Sequence, residues 1–379
     1  MLHLFKTKTR MYSEEHLYSI ALRECNLIGD INFLKLINTF KSAKEAWHYA
    51  KKDVGRLDGI GRKTVSDIGN PDHLKFAEKE LKFCENNHIR INLRHQGNLP
   101  GLLKECDDAP AILYQKGNFD HSLTAVSIVG TRNVTPYGQK FIQDFFEETQ
   151  HSRYISVSGL ALGADKEVHE QSLRYQIPTA GVLAHGFHLI YPSKNKNLSE
   201  NIIENKGALF TEFNSSHKPG REHFIQRNRI IAGISPATLV VETAFGGGSI
   251  STATFANNYN RDVFALPGRI TDKYSQGCNQ LIFQNKATAV STLKDLIDSL
   301  GFNKPRDQME ELFPRSETHL SLTENQELVY SAIASSPHIG VDDLAAKISL
   351  PSHKILSIIL ELELLGKVKS FSGRQFMII

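Results

Sequence analysis

The chain reads as an α/β protein built on a doubly wound parallel sheet, with a small helical domain ahead of it and a winged helix behind. Three observations predict this. Between about 120 and 300, short apolar, β-rich runs alternate with helical or loop segments, at Ala125 to Val129, Tyr154 to Val157, Thr179 to Leu183, Ala208 to Phe210, Thr238 to Val241 and Val263 to Leu266. Ahead of them, Phe33, Leu36, Ile37 and Phe40 fall at i, i+3, i+4 and i+7, one face of a helix. After them, the last stretch spells three helices and a hairpin.

In order along the chain, residues 1–11 carry Lys6, Lys8 and Arg10 but no apolar run, so they lack a signal-peptide core. Met11 is an alternative start, which leaves the first ten residues as a disordered arm. Residues 12–72 form the helical domain. Within it Gly59-Ile60-Gly61 makes a tight turn that resembles a helix-hairpin-helix element, whose backbone N–H groups suit a phosphate and to which Arg62 or Lys63 adds charge. Gly59, Gly61 and Lys63 are therefore candidates for a secondary DNA contact. The alternative is a module that only packs or docks protein. Residues 73–118 are a connecting extension to the core.

The core spans 119–300 and is Rossmann-like. Ligands of such sheets bind beyond the carboxyl ends of the strands, so the segments that follow the strands are the ones that matter. The densest is His217 to Ser235, which sets Lys218, Arg221, Arg227 and Arg229, with Phe224 among them, where a binding loop and a helix start belong. Three cations beyond the one that Glu222 offsets, plus an aromatic ring, suit a polyanion with stackable rings: single-stranded nucleic acid. Arg227 and Arg229 are two positions apart, about 200° around a helix, so they cannot share a face. One binds and the other braces; Arg229, with Asn228, is assigned to the site.

Gly130-Thr131-Arg132 follows the first strand and offers a fixed guanidinium fork. Ser158-Gly159 and Gly248-Ser249 open helices whose N–H groups and small side chains admit a phosphate or sugar. Asp165 and His169 stand at i, i+4; with no third ligand of suitable spacing they read as a capping acid and a helical histidine. His185 and His188, before Tyr191-Pro192, read as structural. Gly246 to Ser251 fails the dinucleotide fingerprint, because it follows a late strand and no acid ends the second one, and there is no Walker A sequence. No NAD, ATP or other cofactor is expected, and no catalytic group.

Residues 301–322, with Pro305 and Pro314, read as a linker. In 323–379, Thr323 and Gln326 match a capping box; Val341, Leu344, Ala345 and Ile348 make an apolar stripe; Ser352 caps a third helix with Ile355, Ile358, Ile359 and Leu362 on one face; and a Ser372-Gly373 turn joins two wing strands.

Composition sets the outer bounds. With 40% hydrophobic and 22% charged residues the chain is of the soluble globular type, and its net charge of +3 is too small to force a nucleic-acid reading without local clustering. Four cysteines lie far apart with no zinc-type spacing, which predicts a reduced, cytoplasmic protein without disulfides or a metal site. No run approaches the ~18 apolar residues of a membrane span.

Taken together, Ser127 to Arg132, Val157 to Asp165 with His169, Tyr191-Pro192, Arg227 to Ile231, Gly248-Ser249 and Phe264 to Gly268 resemble the DNA-processing protein A (DprA, also Smf) family, in order and in spacing. The resemblance implies a dimerising Rossmann-like core that binds single-stranded DNA and delivers it to the RecA recombinase in natural transformation. By position it carries DNA binding to Arg132, Arg221 and Phe224 and lines the same edge with the Ser158-Gly159 and Gly248-Ser249 turns. This chain departs from the family in having His188 in place of Asp and in the turn Thr243 to Gly248. A related reading from another class is a nucleoside-monophosphate phosphoribohydrolase, for which Glu242 and Gly246 to Gly248 are a superficial match. A third is a docking scaffold whose terminal domains recruit proteins.

Overall fold

The structure, a computed structural model, describes residues 12–302, 322–336, 339–348, 350–365, 367–371 and 375–378. The expected arm at 1–11, nearly all of the linker and the Ser372-Gly373 turn lie outside them. The chain divides into two compact units, Met1–Asn303 and Lys304–Ile379.

The first unit opens with helices α1 (Glu14–Glu24), α2 (Asp30–Phe40) and α3 (Ala43–Tyr49). The apolar face read in the sequence closes their core, with Phe33, Leu36, Ile37 and Phe40 all buried. Around the Gly59–Gly61 turn the structure has less than a hairpin of two helices: a 3₁₀ turn at Val54–Arg56 and a single-turn helix α4 (Arg62–Val65). Helix α5 (Pro71–Asn86) then leads into the sheet, its Asn70 side chain accepting from Asp72 N–H and its proline set where no N–H is needed.

Nine strands form that sheet: β1 (Arg90–Leu93), β2 (Ile112–Gly117), β3 (Thr124–Val129), β4 (Tyr154–Ser158), β5 (Thr179–Val182), β6 (Ala208–Thr211), β7 (Ala237–Val240), β8 (Asp262–Ala265) and β9 (Thr288–Ala289), in the order β1-β2-β6-β5-β4-β3-β7-β8-β9. From β6 to β9 every pairing is parallel; β1 and β2, not foreseen as strands, extend the sheet with antiparallel pairings. The parallel strands β3 to β8 are buried on both faces, which is why they read as unbroken apolar runs; the two residues of β9, not foreseen either, are exposed. Helices α6 (Pro136–Glu148), α7 (Ala164–Arg174), α8 (Lys196–Glu204) and α12 (Leu293–Ser299) cover one face, and α9 (Arg221–Ile234), α10 (Gly248–Asn258) and α11 (Gln276–Phe283) the other.

The order reverses between β3 and β7: the chain winds outward from β3 through β4, β5 and β6, then returns to β7 on the other side of β3. The loops leaving β3 and β7 therefore part and leave a crevice at the carboxyl edge, the usual ligand position in such sheets.

The second unit holds α13 (Glu324–Ala334), α14 (Val341–Ile348) and α15 (Ser352–Leu364) with a small sheet of β10 (Ile339–Gly340), β11 (Val368–Phe371) and β12 (Gln375–Ile378). The Thr323/Gln326 capping box is formed. Ser352 is the first residue of its helix, with Pro351 in the cap position, one place earlier than the sequence suggested. Val329, Leu344, Ile355, Ile359, Leu362, Val368 and Phe376 are its buried core.

Candidate nucleic-acid interface

A cavity of about 880 Å³ occupies the crevice at the β3/β7 switch point. Its wall takes Gly130 to Arg132 from the loop after β3, Ala161 and Asp165 from the loop and helix after β4, Lys218, Arg221, Phe224, Arg227 and Asn228 from the loop and helix after β6, and Gly246 to Ser249 from the loop and helix start after β7. Lys218, Arg221, Phe224, Arg132, Asn228, Gly248 and Ser249, assigned to binding from sequence, are thus brought to one place. Tyr191, which the sequence reading passed over, joins them.

Phe224 is the centre of the basic part. The Arg132 guanidinium carbon lies 5.0 Å from its ring centroid and that of Arg227 5.9 Å, while Tyr191 meets the ring edge-on at 6.1 Å. These are cation–π distances, so the half-buried ring orients two cations at the cavity wall. Arg132, Lys218 and Arg221 are exposed, and no carboxylate lies within ion-pair distance of them among the described residues. The one acid in the wall, Asp165, is engaged: its carboxylate accepts from Ala161 N–H at 3.2 Å, stands 3.1 Å from Ser158 Oγ, and supports the charge of Arg227. Burial works against that charge, holding Arg227 below its ordinary value, and Asp165 partly offsets it.

Opposite the arginines, the glycine turn delivers the start of α10. No side chain caps this helix; Ile250 N–H donates to Gly247 O at 3.1 Å, and the N–H groups of Gly248 and Ser249 are left for solvent or a ligand, with the positive end of the helix dipole behind them. Ser249 Oγ is buried in the wall and has no hydrogen-bond partner among the described residues. Asn228 ties α9 to this turn, donating to Gly248 O at 3.2 Å and Ser251 Oγ at 2.9 Å.

Two assignments need correcting. Arg229 is not at the cavity: its guanidinium is buried against Glu212 at 2.5 Å and Asp30 at 3.2 Å and also donates to Asp108 O, so it fastens the core to α2 and the loop before β2. The member of the pair that lines the cavity is Arg227, whose guanidinium also donates to Asn228 Oδ1 at 3.2 Å and to Val182 O. Ser158 and Gly159 lie behind the wall. Ser158 is fully buried, its hydroxyl 2.6 Å from Ile128 O, and a Cβ at Gly159 would fall under 3.0 Å from the Asp165 carboxylate and the Arg227 guanidinium. That turn braces the site without touching its contents. Gly59, Gly61 and Lys63 are not in the cavity wall; Lys35 donates to Asp58 O at 3.2 Å beside their turn.

The histidines are braces as well. His169 is fully buried, Nε2 donating to Gly159 O at 2.6 Å and Nδ1 accepting from Thr179 Oγ1 at 2.7 Å, and burial pushes its pKa down, which keeps it neutral. His185, lowered by burial too, accepts from Tyr191 N–H at 3.2 Å and so sets the backbone that presents Tyr191. Glu242, the acid nearest the glycine turn in sequence, spends both oxygens on Thr135 at the start of α6, 2.8 Å from its N–H and 2.6 Å from its hydroxyl.

Comparison with known proteins agrees with this arrangement. The family model described as DNA recombination-mediator protein A matches residues 90–301, and the DprA winged helix domain matches 313–374. Protein Smf of Synechocystis is 29% identical over 97% of this chain and 99% of its own length. The DNA processing protein DprA of Bacillus subtilis is 38% identical over 53% of this chain and 68% of its own. Among solved structures, that of DNA processing protein A from Streptococcus pneumoniae superimposes with a TM-score of 0.60 at 27% identity, over 76% of this chain and 98% of that one. With a switch-point cavity on a Rossmann-like sheet, a winged helix after it and the family model covering more than half of the sequence, the chain belongs to the DNA recombination-mediator protein A (DprA/Smf) family.

Proposed function

We propose that this protein binds single-stranded DNA with little sequence preference in the switch-point cavity, protects it, and loads the RecA recombinase on it. The observation that carries the binding step is the cluster of Phe224 with Arg132 and Arg227, set beside the unpaired Lys218 and Arg221 and facing the uncapped start of α10. Cations and helix N–H groups take phosphates, which every sequence has. Rings and guanidinium planes take the faces of unpaired bases, which a duplex hides. Family membership supports the RecA step and a homodimer through the Rossmann-like core.

A fluorescence anisotropy titration with single strands of several sequences and a duplex of equal length tests the binding step. Single strands bind within about tenfold of one another and more tightly than the duplex, and Phe224→Ala weakens every strand by about 1–3 kcal/mol, the usual worth of one stacked base. Preference for the duplex, or no effect at Phe224, would overturn the proposal.

The phosphoribohydrolase reading needs an acid free to assist glycosidic cleavage, and Glu242 is held by Thr135 instead. Incubation with nucleoside monophosphates should release no base; release that vanishes in Glu242→Gln would favour the enzyme.

A further inference from the structure

Three side chains from separate parts of the helical region converge on one point away from the DNA cavity. Cys25 caps the end of α1, Asp67 lies just after α4, and His73 sits in the first turn of α5. Their Sγ, carboxylate oxygen and ring nitrogen all lie within 4.8 Å of one another. His73 Nε2 lies at ion-pair distance, 3.0 Å, from Asp67 Oδ2, and this buried nitrogen has no other partner among the described residues. Asp67 Oδ2 is held from behind by Asn26, through its N–H at 3.0 Å and its side-chain amide at 3.2 Å, the kind of outer support that orients metal-binding carboxylates.

We propose that Cys25, Asp67 and His73 form a zinc site that joins α1, the segment after α4 and α5. Thiolate, imidazole and carboxylate are the donor types zinc takes. Three protein ligands leave the fourth tetrahedral position to water. Bonds of about 2.0–2.3 Å place tetrahedral ligand atoms roughly 3.3–3.8 Å apart, so the most distant atoms of the cluster have to approach by up to about 1.5 Å while Nε2 and Oδ2 open slightly, within the reach of side-chain rotation. On binding, the Cys25 thiol releases its proton to solvent and the sulfur gives its lone pair to the metal; the weak contact of Sγ with Ala21 O, at 3.4 Å, is lost, and the direct His73–Asp67 contact is replaced by bonds from each to the metal. No cysteine spacing announces such a site, because its ligands come from three elements and include one cysteine.

The test uses the full-length protein, stripped with a chelator and titrated with Co²⁺ and then Zn²⁺. A thiolate-to-cobalt charge-transfer band should appear at about one equivalent per chain and be displaced by zinc. It should be absent in Cys25→Ser, present in Cys278→Ser, and need at least tenfold more metal in His73→Ala and in Asp67→Asn, whose partly exposed side chain leaves the fold intact by circular dichroism. Zinc should raise the melting temperature of the wild type and not that of Asp67→Asn. No band in the wild type, or a band that survives Cys25→Ser, overturns the site. Equal zinc affinity in wild type and Asp67→Asn does so too.

Discussion

Arg227 and Arg229 illustrate how much one residue's surroundings decide. Both are buried on α9, one facing the cavity and one facing α2. Removing Arg229 leaves Glu212, whose carboxyl burial already pushes above its ordinary value, without its cation, while Asp30 keeps Arg23 at 3.2 Å. Arg229→Met should therefore cost about 3–5 kcal/mol of stability, the usual loss when one partner of a buried ion pair is deleted. The folded fraction should still bind single strands with near wild-type affinity; a mutant as stable as wild type but unable to bind would return Arg229 to the site. His169 carries a pH signature. Its folded pKa lies below the unfolded value of about 6.5, so the unfolded state takes up protons first, and the stability it contributes is full above that pH and lost as pH falls below it. The stability difference between wild type and His169→Gln, from denaturant melts, should accordingly be largest near pH 8 and shrink below about 6.5.

Among the elements, the loop from β4 into α7 packs tightly against the loop after β3. Gly163 has φ +78°, and a Cβ there would press on the backbone of Thr131 and Arg132. Gly163→Ala should displace the Arg132 loop, lowering the melting temperature and weakening single-strand binding together; loss of stability with unchanged affinity would show that the loop's position does not matter. Six of the seven parallel strands were legible from sequence because burial on both faces leaves continuous apolar runs, whereas the two-residue, exposed β9 was not. The antiparallel pair β1 and β2 was not, since Arg90–Leu93 and Ile112–Gly117 mix polar residues such as Asn92 and Gln115, whose side chains bond each other at 3.1 Å inside the sheet. Helix periodicity separated Arg227 from Arg229 but could not orient them, because α9 from Arg227 to Ile234 is buried all round and has no solvent face to read. Burial of Ser158 and Gly159 was hidden for a similar reason: small residues suit both a ligand's approach and a neighbour's, and here the neighbours are Asp165 and Arg227.

At the scale of the molecule, the unit Met1–Asn303 carries the cavity, and the winged-helix unit is a separate compact body. In the latter, α15 has His353 and Lys354 near its start but Glu361 and Glu363 near its end, a poor surface for a duplex groove, which suits a partner-binding or accessory role. Removing residues 323–379 should change single-strand affinity by less than tenfold, about 1.4 kcal/mol, whereas a hundredfold loss in a folded truncation would move the principal site. Among the described residues no helix is long and apolar enough to cross a membrane. The central claim is that the crevice between the β3 and β7 loops neutralises phosphates through Arg132, Lys218 and Arg221. The salt dependence of single-strand binding tests it most directly. With about four phosphates engaged, log K should fall against log salt with a slope near −3, at ~0.7 per contact, and Arg132→Ala with Arg221→Ala should flatten it to about −1.5 for every sequence alike. An unchanged slope and equal affinity at low salt in the double variant would contradict the account.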